Sequence, residues 1–202
     1  MRTIGTILFP GFELLDVFGP LEMYGIHKDE FDIKMVAESG QPVPSGMGPA
    51  SVVDHVFTDG HIYDVLLVPG GPGTRAQVDN PVIVNWLRDA APTAELVTTV
   101  CTGTSLLART GLLDGKRATT NKNAFAWVAS CGPDVLWQKQ ARWIEDGRYF
   151  TSSGVTAGMD MTLSAITHLL DHKKALEAAN YAEYDWHQDA SWDPFAAKAG
   201  LV

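Results

Sequence analysis

Leu96-Val97-Thr98-Thr99-Val100-Cys101-Thr102-Gly103-Thr104-Ser105-Leu106-Leu107-Ala108 is the stretch that decides the fold. Its first half is an apolar run with the pattern of a buried strand. After Gly103 the pattern becomes helical. A cysteine is therefore placed on a sharp turn between a buried strand and a helix, which is the shape of a nucleophile elbow. Such a turn lifts the sulfur above the sheet edge, and the helix N-terminus favours thiolate over thiol. A depressed thiol pKa is expected for Cys101 on this ground. The alternative is a small buried hydrophobe, the usual condition of a free cysteine.

The same punctuation recurs outward from this point. Thr3 to Phe9 reads as a strand, broken by Pro10-Gly11 and followed by a helix from Leu14 to about Tyr24. Asp64-Val65-Leu66-Leu67-Val68 is continuously apolar, as in a parallel sheet covered on both faces, and Pro69-Gly70-Gly71-Pro72-Gly73 follows at once. Phe31 to Val36 alternates like a half-exposed strand, and turn-rich Pro42 to Pro49 suggests a hairpin or an excursion ending at Ser51-Val52-Val53. Asn80-Pro81 starts a helix with proline in its first turn. Asn123 is placed to cap a helix from Ala124 to Ser130. Asp146-Gly147 makes a hairpin turn between Gln138–Ile144 and Arg148–Ser152. Two helices, Thr156–Leu170 and Lys173–Tyr184, precede an irregular, aromatic tail from Asp185. Strands alternating with helices predict an α/β fold, a doubly wound and mostly parallel sheet sandwiched by helices, in one domain over 1–202. Ligands bind such sheets beyond the carboxyl ends of the strands. Three chemically loaded segments fall there: Pro10 to Asp16, Pro69 to Gly73, and Cys101.

Composition excludes several functions. With 15 basic and 24 acidic side chains, the net charge is −9, which opposes binding to nucleic acid or an anionic membrane surface. No stretch approaches the roughly 18–20 apolar residues of a membrane span, and the N-terminus has no signal-like apolar region. Two cysteines, Cys101 and Cys131, are too few for a disulfide scaffold, and a reducing cytoplasm is the expected home. Cys131 reads as a structural residue at a helix end. His168 and His172 stand four apart on a helix but lack a third ligand, so no metal site is expected.

Four segments together resemble the ThiJ/PfpI superfamily, which is related to the class I glutamine amidotransferases: Asp64-Val65-Leu66-Leu67-Val68-Pro69-Gly70-Gly71, Val100-Cys101-Thr102-Gly103, Gly111-Leu112-Leu113-Asp114-Gly115-Lys116-Arg117-Ala118-Thr119-Thr120 and Ser153-Gly154-Val155-Thr156-Ala157-Gly158-Met159-Asp160. The match runs from residue 3 to about 184. It implies a flavodoxin-like sheet, and Leu15-Asp16-Val17-Phe18-Gly19-Pro20 with Cys101-Thr102 is similar to the isonitrile hydratases within the group.

The resemblance implies roles for these residues. Cys101 is the nucleophile and Asp16 the acid touching it, kept protonated by burial and like-charge repulsion. Asp16 otherwise reads as a helix N-terminal carboxylate. Gly70 and Gly71 either serve a turn that needs positive φ or offer N–H groups, with that of Thr102, as an anion hole. Thr102 uses its hydroxyl on substrate or water, or hydrogen-bonds within the helix start. Val155 is a pocket wall. No cofactor is required, a small molecule is the substrate, and a homodimer is implied. Relatives with protease-like chemistry have histidine where this chain has Thr102, and several have histidine at Asn121, so no Cys–His dyad is visible. Glyoxalase-like and deglycase-like members generally carry glutamate at Asp16. The leading expectation is hydration of an isonitrile to an N-substituted formamide. The alternatives are glyoxalase-type chemistry on α-oxoaldehydes, a cysteine-based redox sensor, and the sensing domain of a transcription regulator, which charge and length disfavour.

Overall fold

The computed structural model describes residues 1–202. In chain order its first half comprises β1 (Arg2–Leu8), α1 (Leu14–Gly25), β2 (Phe31–Ala37), β3 (Val43–Pro44), β4 (Ala50–Ser51), β5 (His55–Val56), β6 (Val65–Val68), α2 (Thr74–Gln77), α3 (Pro81–Ala90) and β7 (Leu96–Thr99). The second half adds α4 (Thr104–Arg109), β8 (Arg117–Ala118), α5 (Phe125–Ser130), β9 (Leu136–Trp137), β10 (Trp143–Asp146), β11 (Tyr149–Ser152), α6 (Ala157–Leu169), α7 (His172–Tyr181) and α8 (Pro194–Lys198).

Seven strands form the central sheet in the order β10-β11-β7-β6-β1-β2-β5. Every pairing in it is parallel except the β10–β11 hairpin around Asp146-Gly147. The expected doubly wound, mostly parallel sheet is what the chain forms. β6 and β7 are buried along their whole length, which is why their sequences are apolar without alternation. The short β3–β4 hairpin falls where the proline- and glycine-rich segment suggested one.

Strand order reverses between β1 and β6. β1 leads to β2 on one side, whereas β6 leads to β7 and β11 on the other. The carboxyl ends of β1 and β6 therefore diverge into a crevice, the place where such sheets hold ligands. The loops after β1, β6, β7 and β11 converge there.

Two local expectations are corrected. The helix at 125 is tied not by Asn123 but by Asn121, whose Oδ1 accepts the Ala124 N–H at 3.0 Å. The tail from Asp185 is not wholly irregular. Asp193 caps α8 by accepting the Phe195 N–H at 3.0 Å, with Pro194 at the first helical position. No helix is long and apolar enough to cross a membrane.

Candidate active site

Cys101 follows β7 directly and has φ +57°. A left-handed backbone is costly for a residue with a Cβ, on the order of 1–2 kcal/mol, and is held only where the surroundings impose it. Here they do. The Cys101 N–H donates to Ser153 O at 3.0 Å, and the Thr120 hydroxyl donates to Cys101 O at 2.7 Å. Gly103 completes the elbow: a Cβ there would strike the carbonyls of Val68 and Pro69. The sharp turn expected from the sequence is present, but its sulfur is largely covered, with Cys101 only 6 % exposed.

Asp16 lies in the first turn of α1 and is fully buried. Its Oδ2 accepts the Gly70 N–H at 2.9 Å. Its Oδ1 is buried without a hydrogen-bond partner, and the carboxyl as a whole lies beside the Cys101 thiol. Burial raises the Asp16 carboxyl to about 7, against the pull of the Gly70 N–H. Burial likewise pushes the Cys101 thiol up to about 12, and the Asp16 charge acts in the same direction. The Thr102 N–H, the Asn121 amide and the Val155 N–H lower it but do not prevail. This reverses the expected depression. The elbow is set too deep in protein for a helix end to outweigh desolvation, and an acidic neighbour opposes a second anion. Two negative charges do not coexist here near neutral pH, so the pair Asp16–Cys101 retains a proton between them.

The glycines serve differently from an open anion hole. Gly70 N–H is spent on Asp16, and Gly71 N–H donates to Thr102 Oγ1 at 3.0 Å. A Cβ at Gly70 would lie 2.6 Å from Thr102 N and 2.9 Å from Asp16 Oδ2, so this position admits no side chain. Gly71 has φ +122°, a conformation that demands glycine. Thr102 Oγ1 also receives the Thr74 hydroxyl at 3.1 Å and returns a bond to Gly71 O at 3.3 Å. Its hydroxyl is thus engaged by the loop, and what it offers the sulfur is its backbone N–H.

Val155 is the second strained residue, with φ +45°. That conformation turns its N–H toward the sulfur, and the residue also lines a pocket of about 200 Å³ with Asn121, Lys122, Ser153, Thr156 and Phe195. Another pocket, of about 220 Å³, lies beside Phe9, Val43 and Phe57 and contains none of the residues facing the sulfur.

Asn121 escaped the sequence reading. It occupies the place where a histidine was sought, and the lack of one obscured the amide itself. With Oδ1 fixed on Ala124 N–H, its Nδ2 is left to face Cys101. A buried ionic cluster was also missed. Arg142 meets Asp160 Oδ2 at 2.6 Å, reaches Thr156 Oγ1 at 3.3 Å and lies 4.0 Å from Asp193. Scattered charges carry no periodic signal, so nothing short of the fold brings them together. His168 and His172 do not face a common site: one edges Phe150 and the other tilts against Trp186.

Residues 2–168 match the model of the DJ-1/PfpI family. The chain is 34 % identical to an isonitrile hydratase of Pseudomonas putida over 83 % of its own length and 72 % of that protein's. It is 29 % identical to the HTH-type transcriptional regulator CdhR of Pseudomonas aeruginosa over 79 % of its length but only 48 % of the regulator's. Among solved structures, a ThiJ/PfpI family protein from Pseudomonas syringae superposes with a TM-score of 0.85 at 30 % identity, covering 99 % of this chain and 84 % of the other.

Proposed function

The chain belongs to the DJ-1/PfpI family, and we propose that it is a cysteine-dependent isonitrile hydratase, converting an isocyanide and water to an N-substituted formamide without a cofactor. The observation that carries this reading is the buried Asp16 carboxyl beside Cys101, one oxygen fixed by the Gly70 N–H and the other left without a partner. Isonitrile hydration asks one carbon to accept a nucleophile and then a proton. A thiol and a shared carboxylate supply both at one point. The similarity to the Pseudomonas putida hydratase supports the same reading.

In the resting pair the proton lies on sulfur and Asp16 is an anion part of the time at neutral pH. As Sγ bonds to the isonitrile carbon, its proton passes to the Asp16 carboxylate, which delivers it to that carbon. The product is a thioimidate on Cys101 and an Asp16 carboxylate. Water then adds to the carbon. Asp16 takes a proton from the water and passes it to nitrogen. The C–S bond breaks, formamide departs, and the hydroxyl proton returns through Asp16 to sulfur. Thr102 N–H, Val155 N–H and the Asn121 amide stabilise the sulfur while it is anionic. Gly70 and Gly71 hold the acid and the Thr102 loop in register.

The substrate is a small molecule. We read the assembly as a homodimer in the cytoplasm: Leu15 and Phe18, on either side of Asp16 in α1, remain 38 % and 43 % exposed, an apolar pair that a second copy would cover. Sedimentation at micromolar concentration should give twice the 21.9 kDa chain mass.

A panel of methyl, cyclohexyl and benzyl isonitriles beside methylglyoxal, with Cys101→Ala as the blank, tests the activity. Formamide formation that vanishes in the blank is expected. Turnover of methylglyoxal with none of any isonitrile would overturn the assignment in favour of glyoxalase-type chemistry.

A further inference from the structure

Beyond Tyr184 the chain packs back against α6 and the start of β10, where the Trp186 Nε1–H donates to Asp160 O at 3.1 Å and the His187 N–H to Asp160 Oδ1 at 2.9 Å. Asp193 is only 1 % exposed. Its N–H donates to Gln140 O at 2.7 Å. Its carboxylate accepts the Phe195 N–H at 3.0 Å and stands 4.0 Å from the buried guanidinium of Arg142, with the Lys122 ammonium acting on it as well. Arg142 N–H in turn donates to Ala190 O at 2.8 Å. A carboxylate is taken out of water only where charges and donors meet it. This segment is anchored like a core element.

What the anchor delivers is an aromatic ring. Phe195 opens α8, immediately after Asp193 and Pro194, and is 51 % exposed. It lines the 200 Å³ pocket whose walls include Asn121, Lys122, Ser153, Val155 and Thr156. Of these walls, Asn121 and Val155 carry the donors that face the sulfur. The remaining lining is mostly polar, so Phe195 gives the pocket its one broad apolar face. Lys198 lies over the ring, its ammonium 4.7 Å from the centroid, and restrains it further.

We propose that Phe195 is a specificity-determining residue that receives the apolar or aryl substituent of the substrate, and that Asp193 is the positioning residue that holds it at the pocket adjoining the cysteine through Asn121 and Val155. The isonitrile reading enters only as the identity of the reacting group. A ring against a ring contributes the equivalent of about two- to ten-fold in affinity, which sets the size of the effect.

Two rates on the intact protein test this. The first is alkylation of Cys101 by N-benzyl iodoacetamide relative to iodoacetamide, which needs no hydratase activity. The second is kcat/KM for benzyl relative to methyl isonitrile. In Phe195→Ala the benzyl preference should fall about two- to ten-fold in both, while the rate with the small reagent changes little. Phe195→Leu should recover part of it. Asp193→Ala should lose the same preference, and the double variant should lose no more than either single one, because both act through one ring. Unchanged benzyl preference in a folded Phe195→Ala protein overturns the proposal. Additive losses in the double variant overturn the positioning role of Asp193. If wild type turns over no isonitrile, the hydratase reading fails, and the alkylation ratio still decides the role of Phe195.

Discussion

Asp16→Asn should make the protein more stable at pH 8 and abolish a pH dependence that the wild type shows. The carboxyl is fully buried and its pKa is raised from 3.8 to about 7. A raised carboxyl binds more protons in the native state than in the unfolded chain, so stability falls as pH rises through the interval between the two values. Below pH 3.8 the group is neutral in both states and costs nothing by this route. Above pH 7 it is charged in both, and the full penalty of the buried charge is present. At 1.36 kcal/mol per unit, the interval amounts to about 4 kcal/mol, of which about 3 kcal/mol is lost between pH 5 and pH 8. Asparagine keeps the size and can still accept the Gly70 N–H, but it never ionises. Urea unfolding of wild type and Asp16→Asn at pH 5 and pH 8 measures the difference, which for a chain of this size corresponds to a Tm change of about 6–12 °C. The variant should also carry a more acidic Cys101, since the neighbouring negative charge is gone, and should alkylate faster at pH 8 while losing hydration. Parallel stability profiles for the two proteins between pH 5 and pH 8 would refute the reasoning.

Three further outcomes follow from the geometry. Gly70→Ala should destabilise by several degrees and remove activity, because its Cβ would stand 2.6 Å from Thr102 N; thermal unfolding and turnover check this together. Thr102→Val should cost about 1–3 kcal/mol by leaving the Gly71 N–H unpaired, and Thr102→Ser should restore both stability and rate; a rate loss in Thr102→Val without a stability loss would return the hydroxyl to the substrate. Arg142→Met should cost about 3–5 kcal/mol in denaturant unfolding by stranding the buried Asp160 carboxylate, with native-like stability as the contrary result.

Much of the fold was legible because its signals are local. The apolar run at Leu96–Val100, the breaks at Pro10-Gly11 and Pro69-Gly70-Gly71, the hairpin at Asp146-Gly147 and the Asn80-Pro81 helix start each reflect the φ/ψ preferences of a few residues or their burial periodicity. The elbow was legible for the same reason, since a strand pattern that stops at Cys101 and resumes as a helix leaves room only for a sharp turn. Asn121 and Phe195 were not read as site residues. An amide or a phenyl ring has no spacing signature, and its meaning depends on what lies across a gap of many residues.

The amino-acid sequence by itself determined the alternation of strands and helices, the glycines that let loops pass close together, and the turn that carries the cysteine; that Asp16 meets it was implied only by the family resemblance. Only the tertiary structure decided the charge state of that pair. Sequence proximity to a helix start argued for an acidic thiol, but a pKa answers to the solvent removed by every neighbouring element and to the charge of Asp16, 85 positions earlier in the chain. The tertiary structure likewise decided that Gly70 serves the acid rather than a ligand, and that Arg142, Asp160 and Asp193 form one anchor. Desolvation and long-range pairing are sums over the whole packed molecule, and no window of residues contains them.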